Sequence, residues 1–410
     1  MHRFLLSIPL TLALALTLQA ADWPQFLGPN RDSTSSDKVE PWKGDLKTAW
    51  KQPVGDGHSS PVVANGVVYA FYQPKGKNAD ALAAFEAATG KPLWEKSYDR
   101  PEFKPPFGSG PRSTPSIDGG KVYTLGGTGI LTCWDAKTGD IVWTADTLKQ
   151  FEAKNLFFGI STSPLVEGNT VVVMVGGKGA GIVAFEKATG KVAWKATDDP
   201  ASYSSPVAVG TEKNRQLLFL TGSNLRGLSP DGRELWAVPF KDKLNESSTS
   251  PVKVGNTVIG SSVTAGSLAV TFAANPTPGK ITTEMLWKDD KLTCYFSTPV
   301  AVGDYLYMVN GVASLTNASI TLRCVETKTG KVMWEKPKIG KYHAALIRTG
   351  NGKLLMLDDN GFLILLDPNE KEYKELARAK VCGPTWAHPA LVGNKVYLRD
   401  EKELICVDLE

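Results

Sequence analysis

The sequence predicts an all-β protein, an eight-bladed β-propeller of four-stranded blades. Three observations predict it. A short phrase of two small hydroxyl residues, a proline and an aliphatic residue returns eight times, with two degenerate copies, at steps of 42 to 54 residues. Five units also contain a glycine turn that is followed by a tryptophan. The last unit has only three strand-like runs, so its fourth strand must come from elsewhere.

The proline phrases mark the first strand of each blade. They begin at Ser59, Ser113, Thr162, Ser204, Thr249, Ser297, His343 and Ala387. In the second unit, further strand-like runs start at Lys121, Ile130 and Asp140. Apolar and polar residues alternate in these runs, which is typical of strands that pack against neighbouring blades. Residues 46–410 are therefore predicted to form a single propeller domain.

A tryptophan occupies a fixed place on the predicted outer strand. The glycine before it supplies the positive φ of a tight hairpin, and an acidic residue (Glu86, Asp135, Glu186 or Glu326) is expected to accept turn amides. We expect each indole to pack against the next blade and to donate to a carbonyl at the seam, which is a structural role. The set comprises Trp50, Trp94, Trp143, Trp194, Trp236, Trp287 and Trp334.

The run of residues 46–54 contains Trp50 and resembles the outer strand that the last unit lacks. We predict that it pairs with the C-terminal strand, which closes the ring without an exposed edge. Residues 21–45, rich in Pro, Asn, Asp and Ser, are then expected to form an extended leader across the surface. Of two longer loops, from Asp99 and from Thr147, the second is expected to contain one helical turn.

Residues 1–20 are interpreted as a bacterial signal peptide. His2 and Arg3 precede an apolar run from Phe4 to Leu16, which is too short to span a membrane. We therefore expect a periplasmic or secreted protein, monomeric and without a transmembrane segment. A lipid anchor is not expected, because no cysteine lies near the predicted cleavage point.

Composition narrows the classes of partner. The net charge is +4 and basic residues alternate with acidic ones, which argues against nucleic-acid binding. Five cysteines are too few and too scattered for a disulfide scaffold. We expect buried thiols, with one disulfide as the alternative; the cysteines are Cys133, Cys294, Cys324, Cys382 and Cys406.

Three segments carry a resemblance to a known family: DWPQFLGPNRDSTS, GGKGAGIVAFEKATGKVAW and VYLRDEKELICVDL. They resemble the secreted bacterial proteins of the PQQ-like (pyrroloquinoline quinone repeat) β-propeller family, and the likeness extends over almost the whole mature chain. The resemblance implies two branches. One holds quinoprotein alcohol dehydrogenases, which bind pyrroloquinoline quinone beside calcium, and the other holds non-enzymatic scaffolds that are BamB-like.

The chain departs from both branches. It lacks the adjacent cysteine pair of the dehydrogenases, and their calcium ligands and catalytic Asp have no matching positions, so no catalytic residue is transferred. It also lacks the lipidated cysteine of the BamB scaffolds. No cofactor is firmly implied, and pyrroloquinoline quinone with calcium is the alternative.

Candidate ligand-binding residues lie at the starts of the inner strands, which converge at one mouth of a propeller channel. They are His58, Arg112, Tyr203, Tyr295, Tyr342, His343, Trp386 and His388. The three histidines belong to units one, seven and eight, which are neighbours in a closed ring. One hypothesis is a pocket for an anionic or planar ligand, with Arg112 as the charged anchor and the rings as walls.

Two alternatives stay open for these residues. They could cap strand starts and fill the channel with hydrogen bonds. The histidines could instead bind zinc, although strand alternation aims their three offsets in different directions, and no metal site is assigned. We expect a non-catalytic binding or scaffold protein with a protein partner or small ligand at the channel mouth; the alternative function is a quinone-dependent oxidoreductase.

Overall fold

The structure is a computed structural model that describes residues 22–272, 281–311 and 318–410. The predicted signal peptide, residues 1–20, lies outside these ranges. In the described residues, 32 strands form eight four-stranded antiparallel sheets. Inner strands of neighbouring blades contact each other around a channel. The predicted eight-bladed propeller is confirmed.

The first four blades follow one another along the chain, each from its inner to its outer strand. Blade 1 contains β2 (Val62–Ala64), β3 (Val67–Tyr72), β4 (Ala79–Glu86) and β5 (Pro92–Asp99). Blade 2 contains β6 (Ser116–Asp118), β7 (Lys121–Leu125), β8 (Ile130–Asp135) and β9 (Ile141–Asp146). Blade 3 contains β10 (Leu165–Glu167), β11 (Thr170–Gly177), β12 (Ala180–Glu186) and β13 (Val192–Ala196). Blade 4 contains β14 (Val207–Val209), β15 (Gln216–Leu220), β16 (Asn224–Leu228) and β17 (Glu234–Pro239).

The next three blades repeat this order, and the last takes its outer strand from the other end of the chain. Blade 5 contains β18 (Val252–Val254), β19 (Thr257–Ser262), β20 (Gly266–Phe272) and β21 (Thr283–Asp289). Blade 6 contains β22 (Val300–Val302), β23 (Tyr305–Asn310), β24 (Ile320–Glu326) and β25 (Val332–Gly340). Blade 7 contains β26 (Ala344–Arg348), β27 (Leu354–Asp358), β28 (Phe362–Leu366) and β29 (Glu375–Lys380). Blade 8 contains β30 (Ala390–Val392), β31 (Lys395–Arg399), β32 (Glu403–Asp408) and β1 (Thr48–Pro53).

The ring closes through β1. This strand pairs antiparallel with β32, with Thr48 opposite Val407 and Trp50 opposite Cys406. The closure predicted from the incomplete last unit is therefore confirmed. The helical turn expected near Thr147 is also present, as α1 (Thr147–Gln150), and a short 3-10 turn spans Glu212–Asn214.

The two middle strands of each blade are buried on both faces. In β11 the residues Val171 to Val175 are all buried, without the alternation of polar residues that a half-exposed strand shows. The reason is that each sheet is packed between two others, so both faces of its middle strands meet apolar surface. Alternation holds on outer strands such as β13, where exposed and half-buried residues take turns.

The outer-strand tryptophans join neighbouring blades as predicted. Trp50 donates its indole N–H to the Ala87 carbonyl of the next blade at 2.9 Å. A Cβ at Gly90 would lie 2.5 Å from the Trp50 ring, and Gly90 has a φ of +73°, so the turn requires glycine on both counts. The same seam bond joins Trp143 to Lys187, Trp194 to Pro230, Trp287 to Thr327 and Trp334 to Asn369.

Trp94 and Trp236 differ in detail from this arrangement. The ring of Trp94 packs on the turn glycine Gly139 of the next blade. Trp236 donates instead to Gln216 of its own blade, at 2.8 Å. The turn of the fifth unit, where the partner of Trp236 is expected, falls within residues 273–280, outside the described residues.

The acidic residues of the turns behave as predicted at only one of the four positions. Asp135 accepts the amides of Lys137 and Thr138. Glu86, Glu186 and Glu326 accept the hydroxyl of a turn threonine instead, and this hydroxyl accepts the amide two residues further on. The longer glutamate side chain reaches past the amides, so the threonine acts as the intermediate.

The described part of the predicted leader, residues 22–45, is anchored to the propeller at several buried positions. Trp23 and Leu27 are buried, and Trp23 exchanges backbone hydrogen bonds with Val63 of β2. Thr34 forms a bridge with Arg348 at the end of β26. The leader thus crosses the end of the channel toward which the inner strands run. Apolar burial, which the polar composition of the segment concealed, holds it there.

Arg31 of the leader fills this end of the channel and is 3% exposed. Burial lowers its pKa to about 9, so the guanidinium stays protonated at neutral pH. It donates to backbone carbonyls and neutral side chains of three blades and of the leader itself, namely Ser163, Pro164, Pro206, Ser116 and Gln25.

All five cysteines are buried free thiols. The disulfide alternative is therefore not realised in the structure. None of the helices in the described part of the chain has the length and hydropathy that crossing a bilayer requires.

Candidate ligand site at the channel mouth

The starts of the inner strands surround a cavity of about 150 Å³, which we call the mouth cavity. Seven of the eight predicted residues line it: His58, Arg112, Tyr203, Tyr295, His343, Trp386 and His388. Tyr342 lies beside it, in an adjoining groove of about 750 Å³. Its ring meets the Trp386 ring edge-on, with 5.4 Å between centroids.

The hydroxyl pairs of the proline phrases form a ring of hydrogen bonds around the channel. In five steps from blade to blade, the second hydroxyl accepts a backbone N–H from the equivalent position of the preceding blade. The pairs are Ser60 to Thr114 (3.2 Å), Thr114 to Ser163 (2.9 Å), Ser163 to Ser205 (2.9 Å), Ser250 to Thr298 (3.0 Å) and His388 to Ser60 (2.9 Å). The repeated phrase therefore joins neighbouring blades by hydrogen bonds, and its hydroxyl side chains lie around the channel.

Blade 7 replaces the hydroxyl pair with His343 and Ala344. His343 is 6% exposed, and its Nδ1 lies 3.0 Å from Ser297 Oγ. That hydroxyl also accepts the Ala344 N–H. A hydroxyl has one proton and two acceptor positions, so it can pair with Nδ1 in either tautomer of the imidazole. Burial, and then the neighbouring His388 and His58, lower the pKa of His343 to about 3, so the ring is neutral.

The Nε2 of His343 is buried and has no hydrogen-bond partner among the described residues. Leaving a buried polar atom unpaired costs about 1–3 kcal/mol. The wall of the mouth cavity therefore contains a nitrogen that a polar ligand group could pair with.

The other two histidines of the cavity, His388 and His58, form hydrogen bonds with protein groups. His388 is buried, which lowers its pKa to about 4, and the neutral ring donates from Nδ1 to the Pro389 carbonyl at 2.9 Å. Its Nε2 lies 3.3 Å from the Ser33 hydroxyl of the leader and 3.2 Å from the Leu346 carbonyl. A neutral imidazole donates from one nitrogen only, so Nε2 accepts from Ser33.

His58 is also neutral, since burial lowers its pKa to about 4. Its Nε2 donates to the Phe107 carbonyl at 2.9 Å, and its ring stacks on Trp386. The described residues contain no group of three His, Cys, Asp or Glu side chains that could hold a metal ion. The three-histidine zinc hypothesis therefore has no support in the geometry.

Aromatic rings cover the mouth, with Trp386 at their centre. Its ring meets those of His58, Phe107, Phe296 and Tyr342, with centroid distances between 5.1 and 5.5 Å. Such offset and edge contacts are the favoured geometries of aromatic pairs. Phe158 extends the cover from Phe107 to Tyr203. The mouth cavity is thus bounded by flat apolar surfaces.

Two charged residues line the cavity, Arg112 before the inner strand of blade 2 and Glu246 before that of blade 5. Burial lowers the pKa of Arg112 to about 10, which leaves it cationic. Its Nη2 donates to the carbonyls of Pro106 and Gly108 at 3.0 and 3.1 Å. The arginine ion pairs found in the described part of the chain do not include Arg112. Glu246 accepts the Tyr295 hydroxyl, and burial raises its pKa.

Several residues of the cavity were missed by sequence reasoning. Phe26 and Leu27 of the leader line its inner end, and Phe107, Phe158 and Glu246 come from loops between blades. The two long loops after blades 1 and 2 each contain phenylalanines next to a glycine, which is the one pattern that could have indicated them.

A family model described as outer membrane protein assembly factor BamB matches residues 77–336. The chain belongs to this PQQ-like β-propeller family. The dehydrogenase subunit of an alcohol dehydrogenase (quinone) from Komagataeibacter europaeus is 32% identical over 188 residues, which is 40% of this chain and 23% of that enzyme. The chain therefore matches less than a quarter of the length of this curated relative.

Solved PQQ-like propellers share the fold. BamB from Moraxella catarrhalis aligns with a TM-score of 0.60 at 15% identity, over 89% of this chain and 98% of that one. The quinohemoprotein alcohol dehydrogenase from Comamonas testosteroni aligns with a TM-score of 0.66 at 14% identity, over 95% of this chain and 80% of that one. Both functional branches thus have members similar to this chain, and the likeness to these structures extends to the fold alone.

Proposed function

We propose that this chain is an exported, non-catalytic binding protein that holds a small ligand in the mouth cavity. The observation that carries the proposal is the buried Nε2 of His343, which has no partner among the described residues and belongs to a side chain of the cavity wall. A ligand hydroxyl bound there, which can donate or accept, would remove the cost of the unpaired nitrogen. The aromatic cover supplies flat surface for a ring.

The same residues favour binding over catalysis. Ser297 and His343 are the one hydroxyl and imidazole pair among the described cavity residues within hydrogen-bond distance. A nucleophile needs a base whose pKa lies near the working pH, whereas burial lowers the pKa of His343 to about 3. No carboxylate of the described residues hydrogen-bonds to its other nitrogen, so the pair lacks an orienting acid.

Pyrroloquinoline quinone is larger than the mouth cavity. A cavity of about 150 Å³ accommodates a single benzene-sized ring, whereas the quinone has a fused ring system with several carboxylates. The described residues contain no group of three His, Cys, Asp or Glu side chains for a companion metal ion, and no two cysteines are adjacent in the sequence. We therefore derive no redox step for this chain.

We propose the periplasm or the extracellular space as the location. The signal-like residues 1–20 support export, and the family description refers to assembly at the outer membrane. A protein partner for the outer face of the propeller stays part of the proposal, because BamB from Moraxella catarrhalis has the same fold.

A binding screen together with an activity assay tests the proposed function. Single-ring compounds are screened by thermal shift on the purified protein, and dye reduction is measured with alcohols after adding pyrroloquinoline quinone and calcium. We expect some compounds to raise the melting temperature of the wild type but not of Trp386→Ala, and no dye reduction above the background. The control Val142→Ala, at a half-exposed position of β9, should respond like the wild type. Quinone-dependent turnover, or the absence of any thermal shift, would contradict the proposal.

A further inference from the structure

We propose that the mouth cavity binds a single-ring aromatic acid that carries a carboxylate at one end and a hydroxyl at the other. This inference rests on the proposed function and names the chemical class of its ligand. Three independent features of the cavity support it: its size and aromatic lining, a cation without an ion pair in the described residues, and a buried nitrogen without a partner among them on the far side.

Size and shape select a single ring. The volume of about 150 Å³ matches one benzene-sized group. The Phe158 and Tyr203 rings line the cavity, tilted by 56° with 5.8 Å between centroids. Rings of this kind favour an aromatic guest, which can meet them edge-on, over an aliphatic chain.

Arg112 selects a carboxylate. It is the one Lys or Arg side chain among the described residues that line the cavity. Its positive charge is met by the neutral carbonyls of Pro106 and Gly108 and by no ion pair in the described part of the chain. The carboxylate of Glu246 already accepts the Tyr295 hydroxyl. A planar carboxylate matches the fork of a guanidinium, which makes it the preferred partner of a partly buried arginine.

His343 selects a second oxygen, on the opposite side. Arg112 precedes the inner strand of blade 2 and His343 precedes that of blade 7, three steps away around the ring of eight. The two side chains therefore approach the cavity from nearly opposite walls. The unpaired Nε2 of His343 suits a hydroxyl in either tautomer, so a ring with a carboxylate at one end and a hydroxyl at the other complements both walls. The probe that has this chemistry is 4-hydroxybenzoate.

Titration calorimetry with 4-hydroxybenzoate, benzoate and phenol tests the inference. We expect 4-hydroxybenzoate to bind most tightly. Arg112→Met should weaken its binding by about tenfold or more and leave phenol unaffected, because only the carboxylate pairs with the arginine. His343→Phe keeps a ring in place but removes the Nε2 nitrogen. It should weaken the binding of 4-hydroxybenzoate by about tenfold and leave the binding of benzoate unchanged.

Lys341→Met is the matched control for charge, since Lys341 is an exposed cation of the adjoining groove. It should bind all three compounds like the wild type, and thermal melts verify that every variant is folded. Equal effects of Arg112→Met on 4-hydroxybenzoate and phenol would overturn the inference. Failure of all three compounds, with other ring compounds bound in the screen, would overturn this inference and leave the proposed function standing; failure of every compound would overturn both.

Discussion

The hydroxyl oxygen of Ser297 lies 3.0 Å from Nδ1 of His343, across the boundary between blades 6 and 7. At five other boundaries a hydroxyl accepts a backbone N–H, whereas here the Ser297 hydroxyl accepts the Ala344 N–H and also pairs with an imidazole. The repeat that assembles the ring thereby holds Nδ1 of His343, while Nε2 has no partner among the described residues.

Ser60→Ala should destabilise the protein by about 1–3 kcal/mol, because it leaves the buried His388 N–H without its acceptor. Ser59→Ala is the matched control. The Ser59 hydroxyl is equally buried but has no partner among the described residues, so its removal should be neutral or stabilising. Urea denaturation measures both free energies of unfolding. Equal losses in the two variants would contradict the hydrogen-bonded ring.

Trp50→Ala should lower the free energy of unfolding by about 3–5 kcal/mol, the usual cost of truncating a buried aromatic residue. The substitution removes the contact with Gly90 and the bond to Ala87 that close the ring. Val142→Ala, on the outer strand of blade 2, should change the free energy by less than about 0.5 kcal/mol. Denaturant titration followed by circular dichroism compares the two, and a loss at Trp50 as small as that at Val142 would contradict the role of β1.

Arg31→Met should release the leader from the channel. The substitution leaves the carbonyls of Ser163 and Pro206 without the arginine donor, at a cost of about 1–3 kcal/mol for each group left unsatisfied. We expect thermolysin to cleave the variant near Phe26 and Leu27 faster than the wild type. Lys38→Met, at an exposed position of the same leader, is the control and should be cut at the wild-type rate. Equal cleavage of the wild type and both variants would contradict the role of Arg31 in holding the leader at the end of the channel.

The stability of the protein should fall as the pH drops below 6.5. Burial holds the pKa of His343 near 3 and that of His388 near 4 in the folded protein. The unfolded chain takes up these protons around pH 6.5 and the folded protein does not, so acidification favours unfolding by about 1 kcal/mol per pH unit for each histidine. Urea denaturation between pH 7 and 5 should give a slope that is shallower by about this amount in His388→Gln. Identical slopes would show that His388 is protonated in the folded state.

Much of the fold could be predicted because it repeats. The proline phrases and the turn before Trp94 or Trp143 recur at a fixed spacing, and each recurrence has a local physical cause: a glycine with positive φ, a hydroxyl that accepts an amide, an indole that meets the next blade. The closure by β1 could also be predicted. The last unit of the sequence lacks its outer strand, and Trp50 identifies the N-terminal run that supplies this strand.

The leader and the cavity cover could not be predicted in the same way, because they occur once. Arg31 resembles a surface residue in a polar segment, and its burial depends on carbonyls of blades 3 and 4 and a hydroxyl of blade 2 that meet only in the folded ring. Phe107 and Phe158 sit in loops without a repeat. The histidines were found because they interrupt a repeated phrase, but which of their nitrogens stays free depends on Ser297 and Ser33, which no pattern in the chain connects with them.

A crystallographic screen with single-ring fragments tests the account most directly, because it asks whether the mouth cavity holds a small ligand. The account predicts that fragments gather in this cavity, against Trp386 and with an oxygen within hydrogen-bond distance of His343 Nε2. Fragments scattered over the outer surface, with none in the mouth cavity, would contradict it.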